Sequence, residues 1–176
     1  MESIQRHAPD VLADMQLQVT GGPLDEPSQT RLQTSPVREH VVHLGRIEAD
    51  PDTGESGRTQ ILKRMRAADV LVLIHGHDAI CAEYIPSKLY EYLWMQRPIL
   101  AQVYRNSQMR DMLLAEGHTV IESLDHAQEV NQIAVGLMAL HRQWKQDGLP
   151  DNHRVSPYTT QAAVQRLRGY IQECVT

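Results

Sequence analysis

Two glutamates, a serine and a lysine lie close together around the predicted start of a helix. Glu83 precedes, and Glu91 lies within, the segment 86–96, which begins with a proline, a residue suited to a first helical turn. Unpaired N–H groups at a helix N-terminus favour an anion, a phosphate above all, and Ser87 and Lys88 can add a hydroxyl and a positive charge. Carboxylates bind phosphate poorly but accept hydrogen bonds from sugar hydroxyls. The group therefore predicts a ligand that carries both phosphates and sugars.

A buried strand and a polar loop precede this helix. Residues 70–74 form a continuous apolar run, which suits a central strand buried on both faces of a parallel sheet. The loop 75–85 follows the carboxyl end of that strand, where open parallel sheets bind their ligands. His75, the first residue of the loop, is therefore a candidate contact for a phosphate or a sugar. Residues 99–103 have the pattern of the next strand.

The same loop raises a metal hypothesis. His75, His77 and Asp78 can together bind a transition metal. No further set of ligands with zinc spacing appears in the sequence, so a polar loop that bends at Gly76 is the favoured interpretation. No metal site is predicted.

Strands and helices alternate along the whole chain. This order predicts an α/β fold with a Rossmann-like, doubly wound parallel sheet and helices on both faces. A length of 176 residues fits one domain, residues 1–176, whose last helix falls within 158–176. The chain opens with a predicted helix, 3–15, where such a domain normally opens with a strand. We therefore expect a fragment cut just after that strand; the alternative is a complete small domain with another strand order.

Composition excludes several classes of protein. The net charge of −5 argues against a nucleic-acid surface, because such a surface needs a clustered basic face. No apolar stretch is long enough to predict a transmembrane segment, and no basic region followed by an apolar run predicts a secretory signal. The two cysteines, Cys81 and Cys174, are too few and too far apart for a disulfide framework. A cytoplasmic location is the expectation.

The segment from Glu83 to Leu93, followed by residues 97–101, resembles the donor-site segment of retaining glycosyltransferases with the GT-B fold (glycosyl transferases group 1, family-4-like). Those enzymes carry two glutamates separated by seven residues, the spacing of Glu83 and Glu91. Residues 95–97 lie where the family most often has a glycine. The resemblance extends over about residues 16–144 and identifies the chain as the C-terminal, donor-binding half of such an enzyme.

The resemblance implies a role for each matching residue. Glu91 binds the ribose hydroxyls, whereas Glu83 contacts the donor sugar and is the candidate catalytic residue. Backbone N–H groups around Tyr84, Ile85 and Ser87 face the sugar and the diphosphate, whereas Pro86 has no N–H to donate. The family carries a basic pair for the diphosphate after the first strand, which is absent here, and Lys88 offsets part of that lost charge. Residues 46–47 lie near the base, mostly through main-chain contacts. The predicted donor-binding set is Arg46, Ile47, His75, Glu83, Tyr84, Ile85, Ser87, Lys88, Leu89 and Glu91.

The implied reaction is transfer of a sugar, with retention, from a nucleotide diphosphate-sugar to an acceptor, without a cofactor. The acceptor-binding N-terminal domain is expected to lie outside this chain, with the helix in 158–176 packing toward it, so the chain alone is expected to be inactive. Polysaccharide biosynthesis, with peripheral membrane contact of the parent protein, is the family-level setting. Two alternatives stay open: a non-catalytic nucleotide-sugar-binding or regulatory module, and a nucleotide-sugar epimerase of related fold.

Overall fold

The computed structural model describes residues 1–122, 126–148 and 156–175. The strands are β1 (Leu17–Thr20), β2 (Val41–Gly45), β3 (Leu71–Ile74), β4 (Ile99–Gln102) and β5 (Thr119–Ile121). The α-helices are α1 (Glu2–His7), α2 (Pro9–Ala13), α3 (Glu26–Thr34), α4 (Gly57–Ala67), α5 (Ser87–Met95), α6 (Ser107–Ala115), α7 (His126–Asp147) and α8 (Thr160–Val175). All strand pairs are parallel and helices flank them, which confirms the predicted α/β class and is consistent with a Rossmann-like fold.

The described residues form two compact units, each with its own sheet. The first comprises residues 1–64 and 126–148 and contains the pair β1-β2. The second comprises residues 65–122 and 156–175 and contains β3, β4 and β5 in that order. The strands therefore form a two-stranded and a three-stranded sheet, and organisation as a single domain stays a prediction.

A small apolar core stabilises the first unit. Its buried members come from α1, α2, the segment before β2, and α7; they are Ile4, Leu12, Val37 and Ala134.

The predicted single helix 3–15 is wrong, because the helix breaks at Ala8, which has φ −153° and ψ 65°. Pro9 causes the break, since its ring disfavours helical backbone in the residue before it. Asp25 caps α3 by accepting from the Ser28 N–H at 2.8 Å.

The second unit surrounds β4, whose residues are all buried between β3 and β5. Leu71 and Leu73 of β3 are buried as well, but Val72 is half-buried and Ile74 is 73% exposed. The prediction of a central strand buried on both faces is therefore wrong, because β3 lies at the edge of the three-stranded sheet and β4 at its centre. Helix α5 ends at Gln96, which adopts a left-handed conformation with φ 59°, a position that glycine occupies in many helices.

None of the described helices is long and apolar enough to cross a lipid bilayer.

Gly57, the first residue of α4, lies against the backbone of Ile47. A Cβ atom at Gly57 would overlap the Ile47 carbonyl oxygen, and a backbone atom cannot move aside cheaply. Gly57→Ala is therefore expected to lower the free energy of unfolding by about 1–3 kcal/mol in denaturant titrations, although alanine is the better helix former. Gly22→Ala is the matched control, because nothing lies within 4 Å of a Cβ there. Equal losses in the two variants would contradict the steric account.

Candidate functional site

The loop between β3 and α5 lies at the carboxyl edge of the three-stranded sheet. It begins at His75, forms a short 3₁₀ turn at Ala79–Ala82 in which Cys81 is buried, and reaches α5 through Pro86. In open parallel sheets this edge is where ligands bind. The structure therefore places this loop at the carboxyl end of β3, as the sequence predicted.

Asn106, which was not predicted as a site residue, anchors this loop. Its buried side chain donates from Nδ2 to the carbonyl oxygens of Tyr84 (3.0 Å) and Cys81 (3.4 Å). Its Oδ1 atom accepts from the Met109 N–H at 2.8 Å, which caps α6. An asparagine directly before a helical segment signals the cap. The bonds to residues 22 and 25 positions away are tertiary contacts, which no local pattern encodes.

His75 carries a buried hydrogen-bond donor that finds no acceptor in the described part of the chain. The side chain is 2% exposed, and burial lowers the pKa of the imidazole, so the ring is neutral at neutral pH. Nδ1 accepts from the Tyr104 N–H at 3.4 Å, which places the proton on Nε2. Nε2 has no partner among the described residues. Such a buried donor costs about 1–3 kcal/mol, and an oxygen atom of a ligand would satisfy it.

Tyr84 lies against His75 at the mouth of the loop. The two rings meet edge to face, with centroids 5.4 Å apart and planes at 70°. Tyr84 is 44% exposed, whereas His75 is 2% exposed. The nearby Cys81 sulfur, together with burial, raises the pKa of the Tyr84 hydroxyl, which therefore stays protonated at neutral pH. Ile85, the next predicted site residue, is half-buried.

The N-terminus of α5 is open to an anion. Pro86 is the N-cap residue, one position outside the helix, and no side chain caps this end. Helix geometry leaves the N–H groups of Ser87 and Lys88 without an intrahelical acceptor. Both of these side chains are exposed. Ser87 is thus the first helical residue and not the cap, which leaves its hydroxyl available to a ligand.

Glu83 and Leu89, both in the predicted donor-binding set, differ in what they can offer a ligand. Glu83 is exposed at the end of the 3₁₀ turn, where its N–H donates to the Ile80 carbonyl at 3.0 Å. Leu89 is fully buried, because its side chain belongs to the core of the second unit. Its N–H donates to the Pro86 carbonyl at 2.9 Å. Leu89 therefore has neither a side chain nor an N–H group available for ligand.

Glu91 faces different surroundings from Glu83. It is half-buried at the centre of α5 and lines an open cleft of about 870 Å³. The described residues that line this cleft include Trp94, Arg97 and Tyr158, and do not include Glu83. The structure therefore does not bring the two glutamates to one cleft, and the ribose role of Glu91 stays a prediction.

Arg46 and Ile47 follow β2 and belong to the first unit. The Arg46 Nε atom pairs with Glu48 Oε1 at 2.9 Å, and both side chains are largely exposed. Such an exposed pair adds little to stability, which leaves the guanidinium able to exchange partners. Their predicted contact with a nucleobase stays a prediction.

Comparisons with known proteins do not assign the chain to a family. No protein-family model, curated protein or solved structure matches the chain. Among residues 1–122, 126–148 and 156–175, no group of three or more His, Cys, Asp or Glu side chains could hold a metal ion. The functional argument therefore depends on the geometry of the site.

Proposed function

We propose that this chain is the donor-binding domain of a glycosyltransferase, which holds a nucleotide diphosphate-sugar for transfer with retention. The observation that carries the proposal is the buried Nε2–H donor of His75, on the loop that leads into the uncapped N-terminus of α5. Phosphate oxygens suit the Ser87 and Lys88 N–H groups, and a sugar or phosphate oxygen suits His75. Glu83, exposed on the same loop, is suited to accept from sugar hydroxyls.

The strand pairings support the same proposal. A common doubly wound dinucleotide-binding fold has the strand order 3-2-1-4-5-6, in which strands 2 and 3 pair and strands 4, 5 and 6 pair in sequence. The pairs β1-β2 and β3-β4-β5 have these neighbours and the same parallel direction. Each of the two sheets, taken by itself, therefore has strand neighbours that such a nucleotide-binding fold contains.

Each group at this site has a role in the proposed chemistry. Retaining transfer breaks the bond from the anomeric carbon to the diphosphate and forms a bond to the acceptor oxygen on the same face, and the proton of the acceptor hydroxyl passes to the departing diphosphate. Negative charge grows on the departing diphosphate, where the N–H groups of Ser87 and Lys88 and the Lys88 ammonium stabilise it. Glu83, the candidate catalytic residue, would hold the sugar at the reacting carbon. The acceptor site belongs to a separate N-terminal domain in this proposal, so the isolated chain binds donor without turnover.

The proposal includes a cytoplasmic location. Cys81 and Cys174 are both unbridged cysteines. Unbridged cysteines are usual in a reducing compartment, which supports this location. The proposal also includes a role of the parent protein in polysaccharide biosynthesis, with peripheral contact of that protein at a membrane.

Lys88→Ala is expected to weaken the binding of uridine or guanosine diphosphate about tenfold or more, because it removes a charge-assisted contact to phosphate. Isothermal titration calorimetry measures the change, and a thermal-shift screen against both diphosphates and their sugar conjugates selects the base first. Lys63→Ala is the matched control, because Lys63 is also an exposed helical lysine but pairs with Glu55 in the first unit.

Two results would overturn the proposal. One is a screen in which none of the nucleotides or nucleotide sugars raises the melting temperature. The other is equal affinity in the Lys88→Ala and Lys63→Ala proteins, which would show that the N-terminus of α5 takes no phosphate.

A further inference from the structure

Arg105 has a strained backbone at the edge of the candidate site. It lies between β4 and α6 and adopts a left-handed conformation with φ 49°. Glycine adopts this conformation without cost, whereas a long side chain does so rarely. Strain of this kind persists where the surroundings hold the residue in place, and it is concentrated at functional sites.

Both neighbours of Arg105 contact the loop of the candidate site. Tyr104 donates its N–H to His75, and its ring meets the ring of His77 with centroids 5.4 Å apart. Asn106 donates to the Tyr84 carbonyl oxygen at 3.0 Å. The turn that carries Arg105 is therefore attached to the β3–α5 loop on both sides. The left-handed residue places its side chain at this junction.

The guanidinium of Arg105 is exposed and stacks on the Tyr104 ring, with its central carbon 5.2 Å from the ring centroid. No carboxylate in the described part of the chain pairs with it. Arg110, by contrast, pairs with Asp111 at 2.9 Å and with Glu122 at 3.4 Å. A guanidinium that stacks on an aromatic face keeps its N–H edge available, and that edge matches two phosphate oxygens at once.

We propose that Arg105 binds a phosphate group of the ligand held at the β3–α5 loop. The inference rests on the proposed function in taking that ligand to be a nucleotide diphosphate, and it assigns the diphosphate a cation that the donor-site resemblance does not include. Inorganic pyrophosphate presents the same oxygens without the nucleoside. It is therefore the probe that isolates this contact.

Arg105→Gly separates binding from stability. Glycine relieves the left-handed strain, so the melting temperature is expected to rise by about 2–4 °C, while pyrophosphate affinity falls about tenfold. Gln96→Gly is the matched control, because Gln96 is also left-handed, with φ 59°. It should raise the melting temperature and leave pyrophosphate affinity unchanged. Arg105→Gln keeps the strain and should lose affinity with little change in melting temperature.

Calorimetric titration with pyrophosphate tests whether Arg105 binds a phosphate group. Pyrophosphate affinity that is unchanged in both Arg105 variants, or absent in the parent chain, overturns the inference. Equal losses in Arg105→Gln and Arg110→Ala also overturn it, because they would reflect net charge alone. If Arg105→Gln weakens pyrophosphate binding but no nucleotide or nucleotide sugar binds the parent chain, the phosphate contact stands and the proposed function fails.

Discussion

Asn106→Asp is expected to release the β3–α5 loop while leaving α6 capped. An aspartate still accepts from the Met109 N–H, but it cannot donate to the carbonyl oxygens of Tyr84 and Cys81 that Asn106 now reaches at 3.0 and 3.4 Å. The carboxylate would also repel those oxygens. Asn106→Ala loses both functions. It should lower the free energy of unfolding by about 2–4 kcal/mol, from one lost cap and one or two unsatisfied buried carbonyls.

Amide hydrogen exchange distinguishes the two variants. Asn106→Asp should speed exchange in the loop 75–86 and leave the Met109 amide protected, whereas Asn106→Ala should speed exchange at both places. Asn131→Asp, at an exposed position of α7, controls for the added charge. Unchanged loop exchange in both Asn106 variants would show that the loop is held by other contacts.

Stability is expected to fall as the pH drops below about 6.5, the ordinary pKa of histidine. His75 and His118 are both buried, and burial lowers the pKa of each. The unfolded chain therefore takes up their protons at a higher pH than the folded chain does. The free energy of unfolding decreases as the pH falls through 6.5 and levels off below the folded-state pKa values. Each histidine contributes a slope of at most about 1.4 kcal/mol per pH unit.

Urea denaturation between about pH 7.5 and pH 5.5 brackets the ordinary histidine pKa and measures this slope. His75→Gln and His118→Gln should each remove part of it, and the double variant should remove most of it. His7→Gln, at an exposed position of α1, should leave it unchanged. Equal stability of the parent chain at both ends of this range would contradict the assignment of the two imidazoles as buried and neutral.

Much of the fold could be predicted, because hydrophobic runs and turn residues act locally. The predicted strands 70–74 and 99–103 and the predicted helix 86–96 agree with β3, β4 and α5 to within one residue at each end, since each is a short apolar or amphipathic segment with polar boundaries. The single helix 3–15 failed because one proline outweighed its apolar periodicity. Division into two sheets could not be predicted, because strand pairing depends on contacts between distant segments.

The candidate site was predictable only in part. His75, Glu83, Ser87 and Lys88 stand out because they follow a buried strand or begin a helix. Arg105 had no comparable signal, since it is distinguished by its backbone angle. The position of Asn106 before a helix signals only a cap, and its tertiary hydrogen bonds to the loop had no signal in the sequence. Leu89 was included through its neighbours in the motif, and only its burial shows that it belongs to the core.

An NMR titration with uridine and guanosine diphosphates and their sugar conjugates tests the central claim most directly. The account predicts saturable shifts at the His75 Nε2 resonance and at the backbone amides of Ser87 and Lys88, with the Arg105 guanidinium resonances moving at the same ligand concentrations. Shifts confined to the cleft lined by Trp94 and Tyr158, or no shifts with any of these ligands, would contradict it.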